Sequence, residues 1–467
     1  MSALMKCRYW LLAIALMLPA GCKLGPNYKR PKVDTPAIYR GADQQAAQNP
    51  ASVGDEKWWT VFQDVQLQQL IRTALAENYD VRIAAARVLQ AQALLGITRA
   101  DQFPTVSAGA SAANTRIPQS TLGPATNTGS IVTSLSLFWE LDFWGKFRRA
   151  TEAARADLLA SEWGQRAVIT SLISNVASAY FQLRELDLEM EISKQTLATR
   201  QESLRLVKVR AQGGVTSQMD VLQAEQLVYF AAASIPDLER RIEQQENLIS
   251  VLTGKNPGPV VRGRPLVDNP VAPTVPAGLP SALLGRRPDI QAAEYQLIAA
   301  NARIGVAKAA YFPQIALTGI AGYQSSALTN LFSNSAGFWS AGGQLTQPLF
   351  AGGRIRSGVK LSKAQQEEAA LVYLKTIQQA FREVSDSLIA YTKNQEFRQQ
   401  QELLAKAAQN ATRLADIRYR GGATSYLEVL DSDTRYFTAQ LNLAQAELAE
   451  RLALVQVFNA LGGGWEQ

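Results

Sequence analysis

The sequence predicts an α+β membrane protein in which one unit, a β-hairpin with long coiled-coil helices, occurs twice in tandem. Three observations predict this class. The chain matches itself at an offset of 209 positions, two long stretches lack proline and carry apolar heptads, and four short stretches alternate between apolar and polar residues. A period this long indicates a two-fold duplication and not a solenoid.

The duplication is clearest near the start of each half, where the match needs no gap. The matched pairs include Asp80 with Asp289, Ala91 with Ala300, Gly96 with Gly305 and Pro104 with Pro313. We therefore predict a first repeat at 60–257, a linker at 258–279 and a second repeat at 280–464. Each repeat is expected to begin with one helix, at about 64–101 and about 280–310, that stops at a Phe-Pro pair.

The long helices are predicted from the distribution of proline, the strongest helix breaker, which is absent from 125–235 and from 349–467. Within these stretches apolar residues recur at every seventh position, as in Ile169, Val176, Leu183, Met190, Leu197 and Leu204. Such heptads are typical of helices that pack side by side at a shallow angle. A helix over about 147–211 would be about 95 Å long.

Four stretches, at about 104–117, 128–143, 313–326 and 337–350, have one apolar face and end in turn residues. This pattern is typical of membrane β-barrel strands, with two soluble hairpins as the alternative. Four strands cannot close a barrel, and open strand edges are not tolerated in lipid. Several chains are therefore expected to share one barrel, with their long helices gathered into a ring.

The N-terminus, MSALMKCRYWLLAIALMLPAGCKLG, has the features of an export signal. Lys6 and Arg8 precede a short apolar run, and small residues precede Cys22. We predict a signal peptide at 1–21. The Ala-Gly-Cys end resembles a bacterial lipoprotein box, which implies lipidation of Cys22 and a lipidated N-terminal segment at 22–59. Ordinary signal cleavage nearby is the alternative.

Composition argues against catalysis and against nucleic-acid binding. The chain has no histidine, its two cysteines are Cys7 and Cys22, and its net charge of +7 comes from scattered residues. It therefore lacks imidazole for catalysis or zinc binding, and it lacks a basic block for nucleic acid. Because nucleophile and phosphate-loop motifs are also missing, we expect no enzyme activity, no cofactor and no metal site.

Two similar loops, RAQGGVTSQMDVLQAE at 210–225 and RYRGGATSYLEVLDSD at 418–433, are predicted to reverse the chain between long helices. Each has a glycine pair that suits a helix C-terminus, where a left-handed residue is needed. The glycines are Gly213, Gly214, Gly421 and Gly422. The spacing of a capping box, which would begin the next helix, is found in Ser217 with Asp220 and in Ser425 with Glu428.

Several motifs along the mature chain, GPNYKRP, RRPDIQAAE, YFPQIALTG, QPLFAGGRIRS and FNALGGGW, resemble the TolC/OprM-like outer-membrane factors. The resemblance is greatest to the lipoprotein branch that serves RND-type transporters. It implies a homotrimeric 12-stranded β-barrel that continues into a periplasmic α-helical barrel.

The implied function is a passive exit duct in the outer membrane of a Gram-negative bacterium. Drugs or other toxic compounds would be passed on by an inner-membrane transporter and a periplasmic adaptor protein. The alternatives are a structural coiled-coil outer-membrane lipoprotein and a TolC-like duct for a different exporter class.

The resemblance also implies that the second loop closes the periplasmic end of the duct. The matching residues are Leu427 and Asp431 for a constricting ring, Glu428 for a second acidic position, and Tyr419 and Arg418 for holding contacts. Arg420, which replaces Gln212 of the first repeat, is assigned to the same gate. The alternatives are that Asp431 is a solvated first-turn acid and that Asp220 and Glu428 mainly cap helices.

Overall fold

The computed structural model describes residues 23–42, 51–119, 125–268 and 275–465. The predicted signal peptide and the lipidation site Cys22 lie outside these residues. The chain forms two compact units. Of the described residues, one unit contains those within Met1–Lys32, Arg87–Ser161 and Ala292–Tyr373, and the other contains those within Val33–Ala86, Glu162–Gln291 and Leu374–Gln467.

The first unit contains one antiparallel sheet of four strands in the order β1-β2-β3-β4. The strands are β1 (Thr105–Ile117), β2 (Thr126–Glu140), β3 (Gln314–Ser325) and β4 (Gly337–Thr346). The central pair joins the two repeats, since Trp139 of β2 lies opposite Leu317 of β3. Two short 3-10 helices, Leu328–Asn330 and Asn334–Ala336, lie between β3 and β4.

Two strands end earlier than the sequence predicts. β2 stops at Glu140 because Asp142 accepts hydrogen bonds from the backbone amides of Phe147 and Arg148, so the chain has turned to begin the next helix. β4 stops at Thr346, and Pro348, which has no amide hydrogen to donate to a strand ladder, follows shortly after.

Helices make up most of the rest of the described chain. They are α1 (Trp58–Val61), α2 (Val65–Glu77), α3 (Tyr79–Ala100), α4 (Lys146–Gln212), α5 (Gln218–Leu252), α6 (Pro280–Arg286), α7 (Pro288–Ala309), α8 (Arg354–Arg420) and α9 (Tyr426–Ala460). Two further 3-10 helices cover Val53–Asp55 and Leu266–Asp268.

The lengths of corresponding helices confirm the duplication. α3 and α7 have 22 residues each, α4 and α8 have 67 each, and α5 and α9 have 35 each. The exact boundaries of the two repeats stay predictions. No helix in the described part of the chain is both long and apolar enough to cross a membrane.

The first helix of each repeat is broken in two, which the sequence prediction of a single helix missed. In the first repeat the break is at Asn78, whose side chain accepts hydrogen bonds from the amides of Asp80 and Val81 and begins α3. In the second repeat the break is at Arg287, which is extended because Pro288 follows it.

The main core of the second unit packs α1 and α2 against α4 and α9. It includes Trp58, Phe62, Leu67, Ile71, Ile173, Val176, Tyr180, Val455 and Phe458, all of them buried. A buried carboxylate, Asp64, caps α2 and also accepts a hydrogen bond of 2.9 Å from the Tyr180 hydroxyl. This core fixes the positions of α4 and α9, which carry parts of both predicted loops.

Candidate gate at the two helix reversals

Both predicted loops are helix reversals with the same hydrogen-bonded C-terminus. In the first reversal (213–217), the Val215 amide donates to the Arg210 carbonyl at 2.9 Å and the Gly214 amide to the Ala211 carbonyl at 3.0 Å. In the second reversal (421–425), Ala423 donates to Arg418 at 2.8 Å and Gly422 to Tyr419 at 3.0 Å. This pair of backbone hydrogen bonds is the Schellman motif.

Only the second glycine of each pair is required by backbone conformation. Gly214 and Gly422 have φ values of +71° and +73°, in the left-handed region. Gly213 and Gly421 have negative φ and are therefore not needed for the turn itself.

The N-caps of the following helices differ between the two reversals. In the first, Ser217 and Asp220 form the predicted capping box, with the Asp220 amide 3.2 Å from the Ser217 hydroxyl and the Ser217 amide 3.1 Å from the Asp220 carboxylate. In the second, Ser425 occupies the N-cap position, but its side chain makes no cap hydrogen bond. The predicted capping box of Ser425 with Glu428 is therefore wrong.

The reason for this difference is that Glu428 also pairs with an arginine. It accepts a hydrogen bond from the Thr424 hydroxyl, and Arg418 donates to it at 2.8 Å across the reversal. In the first reversal Thr216 likewise donates to Asp220, which lowers the pKa of that carboxyl. The two threonines precede the cap serines, and sequence analysis assigned them no role in the caps.

The unequal caps predict unequal mutational effects. Ser217→Ala is expected to cost about 1 kcal/mol locally, because it removes the hydroxyl that accepts from the Asp220 amide. Ser425→Ala, the matched control, is expected to cost much less. Hydrogen–deuterium exchange of peptides that cover each reversal checks this. Equal acceleration of exchange in both variants would contradict the difference in capping.

The predicted gate residues do not form one cluster in the structure, and several of them make separate ion pairs. Arg418 and Glu428 form an ion pair, whereas Arg420 pairs with Asp416 on its own helix at 2.8 Å. Asp431 pairs with Arg435 of α9 at 2.9 Å. Leu427, also on α9, is 62% exposed.

Tyr419 is buried between the two hairpins, α4/α5 and α8/α9. Its ring lies 5.2 Å from that of Tyr426, and the Arg210 guanidinium lies 4.5 Å from its centre. Arg210 also donates a 3.1 Å hydrogen bond to the Tyr419 carbonyl. Apolar residues from both hairpins, including Val207, Val221, Val429 and Leu430, complete this cluster. The cluster holds the second hairpin against the first.

An ion pair between a buried arginine and a partly buried aspartate also joins the hairpins. Arg200 of α4 lies 2.8 Å from the Asp433 carboxylate of α9, donates to the Leu227 carbonyl at 3.1 Å and faces the Phe437 ring at 5.1 Å. A cavity of about 640 Å³ lies beside it. Sequence analysis missed Arg200, because heptad counting identifies apolar positions and does not reveal which buried position is charged.

Comparisons with known proteins identify the family of this chain. The model of a family described as outer membrane efflux protein matches residues 70–255 and 279–463. The chain is 38% identical over 460 residues to the probable efflux pump outer membrane protein TtgC of Pseudomonas putida, covering 97% of this chain and 95% of that one. It is 34% identical over 469 residues to the cation efflux system protein CusC of Escherichia coli O6:H1, covering 99% of each.

A solved structure is similar as well. The open state of the Neisseria gonorrhoeae MtrE outer membrane channel superposes with a TM-score of 0.87 at 31% identity, and the match covers 95% of this chain and 99% of that one.

Proposed function

This chain belongs to the outer membrane efflux protein family, and we propose that it is the exit duct of a tripartite efflux pump, through which drugs or other toxic small molecules leave the cell. The observation that carries the proposal is a four-stranded sheet with two unpaired edges in a chain that also has two helices of 67 residues, one in each repeat. The family is one of efflux ducts and not of enzymes. The duct belongs to the outer membrane of a Gram-negative bacterium and extends into the periplasm.

We propose that three copies assemble into one 12-stranded barrel. Within the described residues, β1 and β4 each pair with a single strand, so each copy has two open edges. Lipid does not tolerate open edges, and pairing β1 of one copy with β4 of the next removes all of them. The long helices of the three copies would then form the periplasmic barrel.

The proposed partners are a periplasmic adaptor protein and an inner-membrane transporter of the RND type. The names of the efflux-pump relatives support a pump partner. We also propose a lipid on Cys22, although that residue lies outside the described part of the chain. The segment that follows it is docked, because Arg149 donates hydrogen bonds to the carbonyls of Leu24 and Gly25.

We propose that the second hairpin gates the periplasmic end. Leu427 and Asp431 would line the constriction, since they are one helical turn apart on α9 and therefore share a face. The exposed side chain of Leu427 would be free to line it. The Arg418–Glu428 and Arg420–Asp416 ion pairs and the Tyr419 cluster would hold the second hairpin in its closed position.

Conductance in planar lipid bilayers tests this function. Wild-type protein is expected to form pores that are mostly closed. Leu427→Ala is expected to raise the open probability severalfold, because it removes apolar side chains from the constriction. Asp431→Ala is expected to lower the permeability to cations relative to that to anions, because it removes a negative charge from the constriction.

Met219 offers a matched control. It is the corresponding residue of the first repeat and is equally exposed, at 62%. Met219→Ala should leave both the open probability and the charge preference of the pore unchanged. A chain that forms no pores would contradict the duct, and pores insensitive to both second-hairpin variants would contradict the gate.

A further inference from the structure

The side chain nearest to the proposed ring carboxylate belongs to an arginine that the gate assignment does not include. Arg435 Nε lies 2.9 Å from Asp431 Oδ2, one turn further along α9. The Asp431 side chain is 59% exposed and that of Arg435 75%. Leu427, Asp431 and Arg435 are spaced by four residues, so they form one exposed stripe on the helix.

The internal duplication shows that this pair is specific to the second repeat. α5 begins at Gln218 and α9 at Tyr426, so corresponding residues of these helices differ by 208. Asp431 and Arg435 then correspond to Gln223 and Leu227 of the first repeat. Both positions are uncharged there. The acid and the base therefore occur together in one repeat and are both missing from the other.

A role in folding does not account for the pair. Ion pairs between exposed side chains one turn apart contribute little to stability, because water screens them and both side chains lose conformational freedom. The charges have a larger effect where symmetry brings several copies together. A ring of bare carboxylates attracts cations, and its members resist being ionised at the same time.

We propose that Arg435 determines the charge preference of the duct by compensating Asp431. This inference rests on the proposed function, because it requires that the stripe face the pore. Each copy would contribute one paired acid and base with no net charge. The constriction would then discriminate weakly between anionic and cationic solutes, and the cargo would include both.

The test is the ratio of potassium to chloride permeability, measured from reversal potentials in planar bilayers under a potassium chloride gradient. Arg435→Gln leaves the carboxylates uncompensated, so the ratio is expected to rise at least about twofold. Asp431→Asn should lower it by a similar factor. The variant that combines Arg435→Gln with Asp431→Asn should have a permeability ratio close to the wild-type value. The single variant Arg435→Lys should also keep a ratio close to that value.

Arg240→Gln on α5 is the matched control. It removes the base of another exposed pair on a helix, Asp237–Arg240, and should leave the ratio unchanged. The effect of Arg435→Gln should also shrink at about 1 M salt, where the Debye length is about 3 Å.

Two failures can be told apart. Wild-type protein that forms no pores contradicts the proposed function. Pores that respond to Asp431→Asn but keep the wild-type ratio in Arg435→Gln overturn the compensation by Arg435 and leave the duct intact.

Discussion

Replacing Arg149 with alanine is expected to release the N-terminal segment and to cost about 3 kcal/mol or more. The Arg149 side chain is fully buried. It donates to the carbonyls of Leu24 and Gly25 at 2.8 and 3.1 Å, to the Asn27 side chain at 3.0 Å, and it pairs with Glu152 at 3.0 Å. Alanine leaves the two carbonyls and the Asn27 side chain without this donor and opens a cavity, whereas Glu152 keeps its ion pair with Lys23.

The measurement is limited trypsin digestion, since the segment contains Lys29 and Lys32, each followed by a residue other than proline. Cleavage there should be much faster in Arg149→Ala, and the apparent melting temperature should fall by several degrees. Arg303→Ala is the control, because it removes an exposed partner of Asp157 in the same unit and should change stability by less than about 1 kcal/mol.

Gly305→Ala tests the docking of the same N-terminal segment at a glycine that packs against both Leu24 and Arg149. A Cβ at this position would lie 2.6 Å from the Leu24 carbonyl oxygen and 2.8 Å from Arg149 Cγ. It should therefore accelerate the same cleavage without removing a charge. Unchanged cleavage in both variants would show that Arg149 does not hold the segment. If Cys22 is lipidated as proposed, this docking also determines how closely the lipid is held to the first unit.

Glu185→Gln is expected to stabilise the protein at pH 8 and to have little effect at pH 5. Glu185 is 4% exposed on α4 and shares a hydrogen bond with Glu189, which accepts from Arg241 of α5 and Gln445 of α9. Burial, reinforced by the adjoining Glu189 carboxylate, raises the pKa of Glu185 from the ordinary value of 4.5 to about 8.

The sign of the pH effect follows from proton binding in the two states. Between pH 4.5 and about 8 the folded state holds this proton and the unfolded state has lost it, so stability falls as pH rises through that window. Below the window both states are protonated, and the stability from this group is fully present. Glutamine cannot ionise, so the variant lacks this decrease of stability with rising pH.

Melting temperatures between about pH 5 and pH 9 check this, with an expected gain of about 3 °C or more for the variant at pH 8. Glu396→Gln is the control, because Glu396 is exposed beside Lys393 and should not alter the slope. A wild-type melting temperature that does not fall between pH 5 and pH 8 would contradict the raised pKa.

Much of the architecture could be predicted because its signals are local. Proline-free heptads predicted α4 to within one residue at each end. Alternating residues predicted four strands, and the glycine pairs predicted both reversals. The break at Asn78 was missed because its side chain begins α3 and also donates to the Leu252 carbonyl, 174 residues away, a contact that no local pattern shows.

The candidate site was less predictable because its partners are distant in sequence. Asp220 and Glu428 have the same spacing to a serine, yet only Asp220 forms a capping box, since Glu428 also binds Arg418. Arg200 and Asp433 are 233 residues apart, and Arg210 reaches Tyr419 over 209 residues. Their contacts exist only once the two hairpins have packed.

The sequence by itself therefore determined the duplication, the type and order of the elements and the family, since these depend on periodicity, turn chemistry and short motifs. The tertiary structure alone decided which distant charges are paired: Glu428 with Arg418 and Arg200 with Asp433. The physical reason is that the range of an ion pair is only a few ångströms. Its formation therefore depends on how helices pack and which rotamers their side chains adopt, and sequence spacing specifies neither.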